Sequence, residues 1–305
     1  MANPLYGQNK FDNKLGVKGR LKKNGAIPVA DSAGIAPLGG YVIPPWNGLG
    51  SNEPYVGAAV AASGGADLAD ADPYSESSSQ LFPLGSTLHI GDRVFKYAQM
   101  DGAVTAGKLL QQKASIIANH SQMTATAAVS ADSDAETTAI SVETQGDTDI
   151  TANQYQGGYL WVNDATGEGQ SWLIKSHPAH DHSTDPSIII TVYGGVATAL
   201  ATASELGICQ NVYKDVIVAP TAETGCIVGA TNIDMTDDYY GWIQVRGPKS
   251  VLAGGTIVLG QNVTRSGNDA GAVEVGSDDV LQPVGQSMAS TVVDAEYNLI
   301  NLTIA

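Results

Sequence analysis

Basic residues are scarce in this sequence. Lys and Arg number 15 among 305 residues, against 31 Asp and Glu, so the formal net charge is −16. Phosphate groups would repel a chain this acidic over most of its surface. The charge therefore argues against a protein that coats nucleic acid, and we expect no direct nucleic-acid role.

Cysteine and long apolar runs are scarce too. The two cysteines, Cys209 and Cys226, belong to no CxxC pair, so neither a zinc ribbon nor a dithiol redox motif is predicted. No run of about 18 apolar residues, the length that predicts a membrane span, occurs in the chain. The first residues are followed by charge instead of an apolar stretch, so we expect no signal peptide and synthesis in the cytoplasm.

Small residues are abundant where charged residues are few. Gly numbers 35 and Pro 13, whereas charged residues make up 15% of the chain. Hydrophobic residues reach 43%, which is enough for a buried core. This composition favours short strands and tight turns over long exposed helices, because such helices carry charge on one face.

The few basic residues are concentrated at the front of the chain. Residues 1–25 hold six of them against the single acid Asp12, a local charge of +5. The rest of the chain keeps nine basic and thirty acidic residues, or −21. This asymmetry predicts an arm that binds an acidic surface, although a solvated terminus has the same composition. The basic residues are Lys10, Lys14, Lys18, Arg20, Lys22 and Lys23.

Residues 1–75 are predicted to form a long extended N-terminal arm. Paired glycines and paired prolines break any regular pattern there. Apolar residues occur in islands, and the side chains of Tyr41, Ile43 and Trp46 are too apolar to favour water. A segment this long without regular structure is usually disordered or wraps a partner. We therefore expect these three residues and the six basic ones to bind a partner.

Beyond the arm the sequence alternates in the manner of short strands separated by turns. Ser86–Ala98 contains two strand-like runs around a Gly91-Asp92 turn. Tyr240–Arg246 is predicted as a strand, Ser250–Leu259 as a turn followed by a strand, and Tyr297–Ile304 as a closing strand. The pattern predicts an all-β protein.

The strand-like segments divide the chain into three predicted parts. Residues 76–124 and 215–305 are expected to form a small β-barrel or sandwich core. Residues 125–214, rich in Ala, Thr and Ser, are expected to form an inserted β domain whose ends lie close together. The best helix candidate, Ala197–Leu206, is short, so little helix is expected.

Candidate metal ligands are concentrated in Ser176–Ser183. His177, His180, Asp181 and His182 place imidazoles and a carboxylate, which zinc binds, within six residues. The cluster lies between two predicted strands and contains Pro178, which is typical of a polar surface turn. We therefore predict a surface turn with no metal and no cofactor, and the three histidines remain the only candidate ligands.

Patterns typical of catalysis are absent from the sequence. It contains no Gly-x-Ser-x-Gly elbow, no His-Glu-x-x-His and no glycine-rich loop that joins a strand to a helix. We therefore expect no enzyme. The hypothesis of a hydrolase would have only the His cluster to support it.

Trp161 and Trp172 flank the Asn163–Gly169 turn and are expected to pack as cross-strand core residues. An exposed coplanar pair would instead indicate a carbohydrate-binding surface module, which stays an alternative.

Several short motifs resemble those of phage virion proteins. They include Val251-Leu-Ala-Gly-Gly-Thr-Ile-Val258, Pro283-Val-Gly-Gln286 and Ala295-Glu-Tyr-Asn-Leu-Ile-Asn-Leu302. This succession resembles the small β-barrel head decoration (cement) proteins of tailed phages, with a strand, a short turn, a return and a closing strand. The start Met1-Ala-Asn-Pro-Leu-Tyr-Gly7 and the segment Gly91–Ala98 also resemble virion proteins of marine tailed phages.

The resemblance implies a structural role and gives no catalytic residue. A decoration protein of this kind stabilises the head by binding the major capsid protein across capsomers. The expectations that follow are a virion location on the head surface, synthesis in the host cytoplasm, and self-association, with a trimer favoured. The alternative is another virion structural protein, such as a major capsid, tail tube or fibre subunit.

Removal of residues 1–50 tests the expected role of the arm. We expect an unchanged strand signal in circular dichroism, because the predicted core begins after the arm. We also expect much weaker binding to phage heads in a pelleting assay, since each apolar side chain buried on a partner contributes about 1.5–3 kcal/mol. Full-strength binding by the shortened chain would show that the arm makes no important contact.

Overall fold

A computed structural model describes residues 71–113, 120, 122–145, 149–276 and 282–304. Almost the whole predicted arm lies outside these residues, and its course stays a prediction. All of the named partner-binding residues of the arm also lie outside them, namely Lys10, Lys14, Lys18, Arg20, Lys22, Lys23, Tyr41, Ile43 and Trp46.

The described residues form strands and turns and contain no α-helix, which confirms the predicted all-β class. The helix candidate Ala197–Leu206 instead consists of turns followed by the start of a strand. The strands, numbered in chain order, are β1 (Glu76–Ser77), β2 (Thr87–Ile90), β3 (Arg93–Gln99), β4 (Leu109–Gln111), β5 (Met123–Ala125), β6 (Thr137–Glu143), β7 (Tyr159–Asp164), β8 (Ser171–Ser176), β9 (Ser187–Tyr193), β10 (Glu205–Cys209), β11 (Ile217–Val218), β12 (Ile227–Thr231), β13 (Tyr240–Leu252), β14 (Asn262–Arg265), β15 (Val273–Val275), β16 (Gly285–Ser287) and β17 (Tyr297–Thr303).

Strands β5 to β10 close into an antiparallel barrel in the order β9-β6-β5-β10-β7-β8, and β8 pairs with β9 to complete the circle. Alternation of side chains builds the barrel core. In β9, for example, Ile188, Ile190 and Val192 are buried, whereas Ile189 between them is 53% exposed. Closure leaves no strand of the barrel with an unpaired edge.

The remaining strands form one antiparallel sheet. Its main path runs β11-β4-β12-β13-β17-β16-β14-β15, while β1 and β3 also pair with β13 and β2 pairs with β3. The β2–β3 hairpin turns at Gly91-Asp92 as predicted, and Gly91 adopts the positive φ of 62° that such a tight turn requires. The sheet is thus built around β13, the longest strand of the described chain.

Strand β13 is longer than the sequence predicts. The predicted strand Tyr240–Arg246 continues through Gly247 and Pro248 to Leu252. The register against β3 shifts between Gln244 and Arg246, and Gly247 has a φ of 86°, so the strand bulges instead of turning. The side-chain amide of Gln244 donates to the carbonyls of Arg246 and Pro248, which supports the irregular backbone.

The strands of the barrel lie between Met123 and Cys209, and those of the sheet lie before and after them, at 76–111 and 217–303. Strand β5 therefore includes two residues that the predicted division assigned to the core. The division into a core and an inserted domain as independent units stays a prediction.

Within the described part of the chain, no helix has the length and apolar character to cross a membrane.

Substitution Gly158→Ala tests the seam between β7 and β10. A Cβ atom at Gly158 would lie 2.1 Å from the carbonyl oxygen of Cys209, and backbone cannot move away as a flexible side chain could. We expect a loss of about 1–3 kcal/mol in the free energy of unfolding, measured by urea denaturation. Gly267→Ala is the matched control, because its Cβ would meet nothing nearer than 3.8 Å. Equal stability of both variants would contradict this packing.

Candidate functional site

The histidine segment directly follows β8, and the structure places it differently from the sequence prediction. His177 is 4% exposed and His180 is 7% exposed. The expected surface turn is therefore wrong for these two residues. His177 and His180 both pack against the segment 149–158, which does not form a strand. This segment lies at the end of the barrel where β8 ends.

Both ring nitrogens of His177 make hydrogen bonds. Its Nε2 accepts from the backbone N–H of Tyr155 at 3.0 Å, and its Nδ1 lies 2.9 Å from the carbonyl oxygen of Pro178. The backbone N–H of His177 also donates to Oδ1 of Asn153. Burial lowers the pKa of His177 below its usual value of 6.5; the Pro178 hydrogen bond opposes this shift and the charge of Lys214 adds to it.

Tyr155 links this segment to a further histidine. Its side chain is fully buried in the barrel core, and its hydroxyl oxygen lies 2.6 Å from Nδ1 of His120. Burial, with a smaller contribution from Cys209, raises the pKa of Tyr155 to about 12. The hydroxyl therefore keeps its proton at physiological pH, and this group serves as a hydrogen-bonding element of the core.

The histidines do not converge on one point in the manner of metal ligands. His177 has both nitrogens engaged, and Nδ1 of His182 lies 2.9 Å from Oγ1 of Thr144. His180 has both ring nitrogens buried without a hydrogen-bond partner. Among the described residues, no group of three or more His, Cys, Asp or Glu side chains could hold a metal ion.

The described tryptophans do not form an exposed aromatic platform. Trp172 is buried in the barrel, where its Nε1–H donates to the carbonyl of Gly195. Trp161 pairs with Ser171 and not with Trp172, so the two indoles lie on opposite faces of the sheet and the predicted cross-strand pair is wrong. Trp161 instead packs on Gly207. Trp242 is buried in an aromatic cluster of the sheet.

Exposed apolar side chains are concentrated in β17 and in the turns between residues 258 and 293. Six large apolar side chains, each 42–61% exposed, are found between residues 258 and 299, more than half of the exposed large apolar side chains in the described chain. We call this set the corner patch. Its members are Val258, Leu259, Met288, Val293, Tyr297 and Leu299.

Backbone pairing brings the corner patch together. The N–H of Met288 donates to the carbonyl of Leu299 at 2.8 Å, so the chain just after β16 runs beside β17. Ile257 pairs with Val292 and is buried, so the neighbouring Val258 and Val293 face outward. In β17, Ile300 and Leu302 point into the core and Leu299 points to solvent. The predicted alternation of β17 is correct, but both of its faces carry apolar residues.

The charge around the corner patch is negative. Asp294 and Glu296 are exposed between Val293 and Tyr297, and one carboxylate oxygen of Glu296 accepts from the N–H of Val293 at 3.3 Å. Neither carboxylate belongs to an ion pair in the part of the chain that the structure describes. The patch therefore offers apolar area with carboxylates at its rim.

Asp234 and Asp237 have a structural role. Oδ1 of Asp234 accepts from the N–H of Ala106 at 2.8 Å, and Oδ1 of Asp237 accepts from the N–H of Gly102 at 2.7 Å. These two hydrogen bonds connect the turn before β4 to the turn before β13.

Both cysteines are free, with Cys209 half-buried and Cys226 exposed.

Comparison with known proteins gives no relative. No protein-family model, no curated protein and no solved structure matches the chain.

Substitution His177→Ala tests whether this residue is structural. We expect the free energy of unfolding at pH 7.5 to fall by about 1–3 kcal/mol, because the buried N–H of Tyr155 loses its acceptor. His89→Ala is the control, since His89 is exposed on β2. A His177→Ala variant as stable as the control in urea denaturation would show that the buried hydrogen bonds contribute nothing.

Proposed function

We propose that this chain is a structural protein of a tailed-phage particle, a decoration (cement) protein that binds across capsomers and stabilises the head. Its partners in this proposal are the major capsid protein and further copies of itself, arranged as a trimer. The protein would be made in the host cytoplasm, and its final location would be the outer surface of the virion head. The role is non-catalytic.

The corner patch is the observation that carries the proposal. Soluble proteins rarely expose several large apolar side chains side by side, and such patches commonly mark surfaces that bind other proteins. Two of its residues lie in β17, and backbone hydrogen bonds hold the turns that carry the other four, so the patch is held in one arrangement before a partner arrives. A preorganised surface reduces the ordering cost of binding. These features favour a protein that assembles with other chains.

Apolar contacts would dominate such binding. Burial of one large apolar side chain stabilises a complex by about 1.5–3 kcal/mol, whereas an exposed ion pair contributes about 0–1 kcal/mol. A decoration protein that binds mainly through the corner patch should therefore remain on the head in moderate salt. This behaviour suits a protein that must hold capsomers together against internal pressure.

The charge of the chain supports a protein partner over nucleic acid. Its net charge of −16 would be repelled by phosphate. Asp294 and Glu296 at the rim of the corner patch would instead pair with Lys or Arg side chains of a protein surface. A different virion protein, such as a tail tube or fibre subunit, would also bind protein partners through apolar and charged contacts. Such a subunit remains the alternative.

A double substitution, Leu259→Ser with Leu299→Ser, tests the role of the corner patch. Both side chains are exposed, so we expect folding to be unaffected. Binding to heads that lack the protein should weaken by at least about a hundredfold, because each lost apolar contact costs about 1.5–3 kcal/mol. Binding is measured by co-sedimentation with purified heads.

Ile189→Ser is the matched control for this experiment. Ile189 is 53% exposed on the outer face of the barrel and does not belong to the corner patch, so its loss should leave binding unchanged. If the double variant binds as well as the control, the corner patch is not the contact surface. If the unaltered chain does not bind tailed-phage heads at all, the decoration function is wrong.

A further inference from the structure

We propose that His177 and Tyr155 form an acid-labile latch, which holds the segment 149–158 against the end of the barrel and releases it on mild acidification. The inference concerns the barrel and does not depend on the proposed function. It rests on the hydrogen bonds that surround one buried imidazole.

The geometry allows only one protonation state of His177. The Pro178 carbonyl can only accept, so Nδ1 must carry the hydrogen in that contact. The backbone N–H of Tyr155 can only donate, so Nε2 must be free of hydrogen. A second proton on Nε2 would point at the Tyr155 N–H and break the hydrogen bond between them. The contact is therefore compatible with the neutral imidazole alone.

His177 lies at the centre of the seam that holds this segment. Its carbonyl accepts from the N–H of Asn153, and its N–H donates to the side chain of Asn153. On one side of it, Ile150 and His180 exchange two backbone hydrogen bonds of 3.0 and 2.8 Å; on the other, the N–H of Gly157 donates to Ile174 at 2.9 Å. Loss of the hydrogen bond between the Tyr155 N–H and the His177 ring would therefore interrupt this short row of hydrogen bonds at its middle.

The groups around the latch do not stabilise a charged His177. Lys214, whose ammonium donates to the carbonyl of Gln154, is positive and opposes a second charge. Burial raises the pKa values of Tyr155 and Cys209, so both are neutral. His120 lies on the far side of Tyr155. In the described residues no carboxylate forms an ion pair with His177.

His180 belongs to the same seam through its two backbone hydrogen bonds with Ile150. Its two ring nitrogens are buried and have no hydrogen-bond partner. The charged and titratable groups beside it are His182, whose ring centre lies 6.1 Å away, and the exposed Asp149 and Asp181. Asp149 accepts from the N–H of His182 and Asp181 from Ser183, so each already has a partner.

The direction of the pH dependence follows from the lowered pKa of His177. The unfolded or released segment binds a proton as the pH falls below 6.5, whereas the folded segment resists it. The stability of the latch is therefore fully present above this pH. It is lost progressively as the pH falls from 6.5 towards the lower pKa of the folded state.

Amide hydrogen exchange of the full chain measures the latch directly. We expect protection of the Tyr155 amide, corrected for intrinsic exchange, to fall severalfold between pH 7.5 and pH 5.5, up to the limit of about tenfold that one histidine of usual pKa 6.5 can supply. Protection in β13 should stay constant over this range. His177→Gln is the matched variant, because its amide oxygen can accept from Tyr155, its amide nitrogen can donate to Pro178, and it does not titrate. The fall in protection should then largely disappear.

Two results would overturn the latch. One is a Tyr155 amide whose protection does not change with pH in the unaltered chain, and the other is an equal fall in the Gln variant. Should that variant fail to fold, a nuclear magnetic resonance titration of the unaltered chain decides. Titration of His177 below its usual pKa of 6.5, together with exposure of the Tyr155 amide, supports the latch. Titration of His177 at 6.5 or above rejects it.

Discussion

Backbone pairing along β13 is the interaction on which the described sheet depends. This one strand pairs with β1, β3, β12 and β17, so it touches strands from before and after the barrel in sequence. Its weak point is Pro248, which cannot donate a hydrogen bond to the ladder. The bulge at Gly247 and the amide of Gln244, which donates to two backbone carbonyls, accommodate this gap. The strand can therefore continue to Leu252 and pair with β17, which carries two residues of the corner patch.

Features encoded by neighbouring residues could be predicted from the sequence. The Gly91-Asp92 turn between two alternating runs gave the β2–β3 hairpin, and the alternation of Tyr297–Ile304 gave β17 with its buried Ile300. The predicted strand Tyr240–Arg246 was too short, because pairing with the distant strand β17 carries β13 on to Leu252. The relation of Trp161 to Trp172 was wrong because it depends on register, and a shift of one residue changes the face of the sheet.

The candidate sites were harder to predict, because they depend on contacts between distant residues. Nothing near His177 in the sequence indicates that the N–H of Tyr155, 22 positions earlier, donates to its ring. Polar residues around Pro178 are typical of a surface turn, yet two of the three histidines there are buried. The corner patch had a visible signal, since β17 carries apolar residues on both faces. That signal is ambiguous alone, because a strand buried on both sides has the same pattern.

We propose that this chain works by binding other protein chains through the corner patch on a phage head. Electron cryomicroscopy of tailed-phage particles that carry this chain tests it most directly. We expect density for the barrel and the sheet on the outer surface of the head, with Leu259 and Leu299 covered by a neighbouring protein chain. Density in which these two side chains face solvent would contradict it.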